Sequence, residues 1–358
     1  MTIPAPYIFD SFALVNGSHE QRVTLELTDG ETVWATPLLG GDLTLSEDWS
    51  PRASFNAVIP NAFTLAELAA LDPRLGSARA TVTAGYVHPD GTVDAHPLFT
   101  GHLRERRVTR PDNVVHLDAA SDEALTQDAK WMATDQFKSF AGVTEALEWF
   151  AGYALGETVA ITSSVGAGYR ADLTSSIPVT AGAEVWEFMA DLALAANVRL
   201  FVDSAGVWKI TAKTTEASTT DVTELGGNVS DSEDILARNG YYSAAVLKYE
   251  WTDALDVDHV VIGKYGTLPG RVYYAEHDTA ITQTAANTAA QDSIRNLSTR
   301  GDSYVCKAVA MYWLRPGDTV RVTLANGTDV SHIVRQVVFH LTNGTMTVTT
   351  REPSNLGD

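Results

Sequence analysis

Apolar and polar positions alternate with a period of two over short runs through most of this chain, and turn residues punctuate the runs. The clearest block is Ser303–Arg351. Val305–Trp313 reads as one extended run and Pro316-Gly317-Asp318 as a turn. Thr319–Leu324 then sets Val320, Val322 and Leu324 against Thr319, Arg321 and Thr323, the pattern of a half-buried strand. Asn326-Gly327 turns the chain again, Ile333–Leu341 follows, and Asn343-Gly344 marks a tight hairpin into Met346-Thr347-Val348. At least four antiparallel strands are expected here, enough to close a small barrel or sandwich.

A counterpart lies near the other end. Gly101–Ala119 aligns by eye with Ser331–Thr350: each begins with a small residue and His, runs extended, turns at an Asn and returns as alternating Val/Thr or Val/His. Upstream of the first copy, Ala78–Tyr86 reads as a strand and His88-Pro89-Asp90-Gly91 as a turn. The expected fold class is therefore a β-rich, multidomain α+β protein, with two related small β-barrel domains flanking mixed α+β material.

Elsewhere, Met1–Val15 opens extended with Tyr7, Phe9 and Phe12. Arg22–Leu27 and Val33–Ala35 flank Asp29-Gly30 as a hairpin, Leu43 and Leu45 alternate with polar residues, and Ser54–Ile59 is a strand. Thr64 and Glu67 form a capping box for a helix over Leu65–Leu71, stopped by Asp72-Pro73. Ser121–Phe140 is helical or loop-like; Thr144 can cap a helix over Glu145–Leu155 with Gly156 as its stop, and Val159–Ser163 is a short strand. Val185, Phe188, Met189, Leu192 and Ala196 make one helical stripe, followed by a hairpin of Val198–Val202 and Val207–Ala212. Tyr241–Trp251 is a strong strand assigned to the C-terminal barrel. His259–Ile262 and Val272–Tyr274 are strand-like, and Thr284–Leu297 is a polar helix. The domain boundaries read as 1–120 (N-terminal barrel with a helical insert), 121–175 (mixed), 176–238 (helix and hairpin) and 239–358 (C-terminal barrel with an insert around 252–300).

Composition narrows the function classes. The chain has 358 residues, 45% of them hydrophobic, and a formal charge of −20. Such a chain is globular and suits two to four domains. The acidic balance opposes nucleic-acid and anionic-membrane binding, and no apolar run is long enough to span a bilayer. The basic cluster Arg104, Arg106, Arg107 and Arg110 reads as a solvated or interface-pairing strand. The start lacks the pattern of a secretory signal, and the lone Cys306 is a small core residue in a chain made under reducing conditions.

No nucleophile elbow, His-Glu-x-x-His or phosphate loop is present. Gly166–Ala171 matches only the loosest dinucleotide pattern and reads as a plain loop. His88, His96, His102 and His116 lack metal-ligand spacing, and Glu276-His277-Asp278 has no partner nucleophile. Asp231-Ser232-Glu233-Asp234 lacks a calcium-loop pattern and reads as a solvated acidic turn or a helix start. Trp49 suits a structural or subunit contact better than a sugar platform. The expectation is no enzyme, no catalytic residue, no cofactor and no metal. One feature of the pattern points to assembly instead. Val305–Trp313 is apolar on both faces, with Val305, Val309, Met311 and Trp313 on one and Cys306, Ala308, Ala310 and Tyr312 on the other; the second face must meet another domain or another copy.

At these residues the chain resembles the tail hub proteins of long-tailed bacteriophages, the baseplate-hub fold shared with contractile injection systems. The resemblance rests on VWEFMADLALAANVRLFVDSAGVWKITA (185–212), TAANTAAQDSIRNLS (284–298) and WLRPGDTVRVTL (313–324) with its closing hairpin, in that order. Trp49-Ser50-Pro51-Arg52 is similar to minor tail proteins of actinobacterial phages. The resemblance implies two β-barrels per subunit repeating around a threefold axis as a pseudo-sixfold ring. It implies a homotrimeric, non-enzymatic hub at the distal end of the tail tube, matching sixfold tube to threefold tip. The implied partners are the distal tail ring protein, the tape-measure protein and other tail-tip and fibre proteins. Genome DNA would pass without specific binding through a bore expected to be acidic, and no segment would insert in a membrane. The place implied is the virion tail tip, assembled in the host cytoplasm. A carbohydrate-binding or wall-contacting minor tail protein and a hexameric distal tail ring are the alternatives.

Overall fold

The computed structural model describes residues 20–48, 50–174, 176–253, 255–323 and 327–354. The expected segment Met1–Val15, Trp49 and the first part of the turn at Asn326-Gly327 lie outside them. The described chain is β-rich, with several sheets and few helices.

The N-terminal part contains β1 (Glu20–Thr28), β2 (Val33–Thr36), β3 (Gly40–Ser46), β4 (Ala53–Pro60), α1 (Leu65–Ala70), β5 (Arg79–Val87), β6 (Val93–Thr109) and β7 (Val114–Ala120). The β1–β2 hairpin forms because Asp29 accepts the Glu31 and Thr32 N–H groups and Gly30 takes φ +99°. The capping box of α1 is present: the Glu67 N–H donates to Thr64 Oγ1 at 3.2 Å, and the Thr64 N–H to Glu67 Oε2 at 2.7 Å.

The middle contains α2 (Glu123–Asp128), β8 (Gln136–Lys138), α3 (Val143–Leu155), β9 (Thr162–Ser163), β10 (Ile177–Val179), α4 (Val185–Ala195), β11 (Val198–Val202) and β12 (Trp208–Ala212). The N-cap of helix α3 lies two residues before the expected one: Gly142 is its N-cap, and the Thr144 hydroxyl donates to Ser163 Oγ instead. Gly156 ends it at φ +71°, and Asn197 follows α4 at φ +55°. Two strands then return to the large sheet, β13 (Val222–Leu225) and β14 (Val229–Leu236), before β15 (Ala244–Thr252), β16 (Asp258–Gly266), β17 (Val272–His277) and α5 (Gln283–Leu297). The chain ends in β18 (Asp302–Val309), β19 (Thr319–Thr323), β20 (Asp329–His340) and β21 (Thr345–Arg351).

Other expectations also need correction. Strand β15 does not join the C-terminal strands; it sits between β16 and β17 in a separate three-stranded sheet. Its alternation suits either sheet, and what decides is α5, which packs on β15 and β16. A Cβ at Gly263 would lie 2.1 Å from the Ala286 carbonyl, so glycine is required for that approach. The acidic run 231–234 is neither turn nor helix start but the middle of β14. The extended run expected over Val305–Trp313 ends at Val309, where the chain turns and the Leu314 N–H donates to the Met311 carbonyl.

The large sheet has thirteen strands, in the order β14-β18-β21-β20-β3-β4-β7-β6-β5-β1-β2, with β19 branching from β20 and β13 pairing β19. Within it one six-strand arrangement occurs twice. Neighbouring strands run β1-β5-β6-β7-β4-β3 in the first copy and β13-β19-β20-β21-β18-β14 in the second. In both copies the first strand of the chain pairs the fourth, and the second pairs the third. One difference is that β1–β5 is antiparallel while β13–β19 is parallel. Bulges fix the correspondence, skipping Arg104 in β6 and Arg335 in β20. Leu103 thus stands level with Val334, one residue away from the alignment drawn by eye.

The two copies join within the chain through antiparallel pairing of β3 with β20, Gln336 opposite Ser46 through His340 opposite Asp42. One hydrophobic core underlies both copies. Tyr86 of the first donates its hydroxyl to the Ala310 carbonyl at 2.6 Å and packs on Tyr312 of the second. A second core, built from α3, α4, α5, β11, β12 and β15, holds the middle of the chain.

Candidate assembly surface

Where the large sheet meets the middle of the chain, charged side chains are brought together from distant positions. Glu47 and Asp48 leave the end of β3, Arg335 is the bulge residue of β20, Arg351 ends β21, and Arg300 follows α5. Arg351, nearly buried, donates to Glu47 Oε1 at 2.5 Å and to the Thr214 carbonyl at 2.6 Å. Asp48 accepts from Arg335 and, at 2.5 Å, from Arg300. Alongside, the Arg52 guanidinium lies 3.9 Å over the Phe201 ring, a cation–π contact. These bonds engage both oxygens of each carboxylate and tie five chain segments together, which is the chemistry of a clamp.

A cavity of about 300 Å³ adjoins this seam and includes Lys213 and Tyr273 in its wall. Burial lowers the Lys213 ammonium to about 8, against the favourable field of Asp292. The folded value lies below the ordinary 10.5, so the stability this group contributes is full above pH 10.5 and is lost as the pH falls through 8. Lys213→Met is therefore expected to be more stable than the parent at pH 7, by up to about 3 kcal/mol, with the difference vanishing towards pH 10.5. Denaturant midpoints of both chains at the two pH values check this.

The residues weighed from sequence are not brought into one site. A larger cavity, about 580 Å³, is lined in part by Arg79, His102 and Asp122. There Arg79 lies 2.7 Å from His102 Nε2 and donates to Asp122 at 3.0 Å. Burial and then the Arg79 charge lower the His102 pKa. His96 meets Asp94 at 2.5 Å and His116 meets Thr109. His277 Nδ1 lies 2.9 Å from Asp191, apart from Glu276, which accepts from Tyr274. Gly166–Ala171 is a loop leading into one 3₁₀ turn. Among the described residues no group of His, Cys, Asp and Glu is arranged to hold a metal. Cys306 is buried, which pushes its thiol up to about 11. Among the described residues no helix is long and apolar enough to cross a membrane.

The basic cluster behaves as an edge. Arg104 at the bulge pairs with Asp128 at 2.5 Å, Arg106 donates to the Leu68 carbonyl, and Arg107 and Arg110 are exposed. The charged seam could not have been found in the sequence, because its partners stand up to 304 positions apart and only the β3–β20 pairing brings them together.

No family model and no curated protein matches the chain. Solved structures do. A prophage MuSo2 43 kDa tail protein from Shewanella oneidensis is 13% identical with a TM-score of 0.64, over 92% of this chain and 98% of that one. A tail protein from Neisseria meningitidis MC58 is 13% identical with a TM-score of 0.64, over 93% and 96%. Prophage tail protein gp18 from Listeria monocytogenes EGD-e is 9% identical with a TM-score of 0.54, over 93% and 95%. The likeness runs the length of both partners in each case, so the chain has the fold of these phage tail proteins.

Proposed function

We propose that the chain is a structural virion protein, a tail hub that closes into a homotrimer at the distal end of the tail tube. The observation that carries this reading is the doubled six-strand arrangement, within a fold shared end to end with prophage tail proteins. Three copies would present six such units, so that a threefold particle meets a sixfold tube with one repeated kind of contact. Each six-strand arrangement, curled on its own part of the shared core, serves as one small β-barrel of the ring. The mixed middle, with its separate core, extends the hub away from that ring.

On this reading the protein is not an enzyme. Its partners are a distal tail ring, a tape-measure protein and further tip or fibre proteins, and genome DNA passes through the ring. The excess of 45 Asp+Glu over 25 Lys+Arg supports an acidic bore that repels DNA phosphates and keeps the passage free of sticking. Gold-labelled antibody against the chain, applied to particles in the electron microscope, tests the placement. Label at the distal end of the tail is expected; label along the shaft, on the head or nowhere on the particle would exclude it.

A further inference from the structure

The joint between the two six-strand units inside one chain defines what a joint between two chains requires. Inside the chain, β3 of the first unit pairs with the second half of β20 in the second. The strand of the second unit that corresponds to β3 is β14, since both pair the strand that follows them in their unit, β3 with β4 and β14 with β18. The strand of the first unit that corresponds to β20 is β6. Among the described residues, β14 pairs with β18 alone, and the stretch of β6 after its bulge pairs with β7 alone. Each is an open edge of the kind that recruits another strand.

The side chains on these edges agree. Leu45 and Phe339, which the internal joint covers, are 5% and 0% exposed. Their counterparts Leu236 of β14 and Val108 of β6 are 79% and 37% exposed. The two edges also carry opposite net charge: β14 has Asp231, Glu233 and Asp234, while the β6 stretch has Arg106, whose guanidinium also reaches the Leu68 carbonyl, and Arg107 against the single acid Glu105, with Arg110 just beyond it. Transferring the register of the internal joint through the strand pairs sets Val108 opposite Asp234, Arg107 opposite Ile235 and Thr109 opposite Glu233. Arg106 then lies diagonal to Asp234 on one face of the sheet and Arg107 diagonal to Glu233 on the other, the placement at which cross-strand ion pairs form.

We infer that β14 of one copy pairs antiparallel with residues 105–109 of a second copy, Val108 opposite Asp234, continuing the sheet from chain to chain head to tail. The inference deepens the hub reading and rests on it for the closure of the ring, but the strand, register and charges come from the internal joint.

Cysteine pairing tests it, because the only native cysteine, Cys306, is buried. In concentrated protein, oxidation is expected to turn most of the V108C/D234C chain into covalent multimers on non-reducing gels, reaching three copies. The register control V108C/D231C is expected to give at least tenfold less. In parallel, R107E/R110E and E233K/D234K are each expected to weaken self-association at least tenfold, and a chain carrying all four changes to regain it. A folding fault would not be repaired by adding the second pair. Native self-association without linking at V108C/D234C, linking within one chain, or equal linking in the control would overturn the joint while leaving the hub reading intact. A chain that labels the distal tail yet shows neither linking nor charge rescue overturns the joint alone. Absence of label there counts against the hub.

Discussion

Arg351→Ala is expected to destabilise the folded chain by about 3–5 kcal/mol, the cost of leaving a buried ion without its partner. Arg351 and Glu47 are both largely removed from water, and the guanidinium also holds the Thr214 carbonyl. Truncation therefore strands a carboxylate and a carbonyl together. Arg351→Lys should recover only part of the loss, because a single ammonium cannot serve the carboxylate fork and the carbonyl in the same geometry. Removing both charges, as in Glu47→Gln with Arg351→Met, should be milder than Arg351→Ala alone. Denaturant titration followed by tryptophan fluorescence and far-UV circular dichroism reads all of these. A loss below about 1 kcal/mol, the range of solvated surface pairs, would mean that the seam is wet and that the clamp reading is wrong.

Phe339→Ala is expected to cost a similar amount, about 3–5 kcal/mol, through lost burial and the cavity left behind. Phe339 has no exposed surface, packs 5.5 Å from the Tyr312 ring and stands opposite Leu43 in the strand pair that joins the two units. The damage should therefore reach both units at once. Hydrogen exchange is the informative readout, since it should rise in β3 as well as in β20. Exchange confined to β20 would show that the two units are stable independently of one another. Val338→Ala, next in sequence but on the other, less buried side of the strand, should cost far less.

Much of the local structure was legible because it is set by neighbours in sequence. The Asp29-Gly30 and Asn343-Gly344 hairpins, the Thr64–Glu67 capping box and the stripe of α4 all depend on turn chemistry or periodicity within a few residues. The likeness between Gly101–Ala119 and Ser331–Thr350 was visible too, though one residue out of register. A bulge adds a residue to one strand without altering the alternation that the eye follows, so Arg104 and Arg335 give no sign of it in sequence.

What remained illegible depends on partners far along the chain. The alternating apolar positions of β15 fit any sheet with one buried face, and only the packing of α5 assigns them. Strand β14 was hidden because its charges read as a solvated turn. Its acidic residues stand on an edge with no neighbour among the described residues of its own chain, which is the situation in which a strand can dispense with an apolar face. The charged seam is the extreme case, being composed of ordinary surface-type residues that acquire meaning only when β3 and β20 meet.

The most direct measurement is a reconstruction of the tail tip from intact particles without imposed symmetry. The account predicts three chains around one axis, with six copies of the strand arrangement β1-β5-β6-β7-β4-β3 or its counterpart disposed as a nearly sixfold ring. Six chains in that ring, or three chains whose two units lie at unlike radii from the axis, would contradict it.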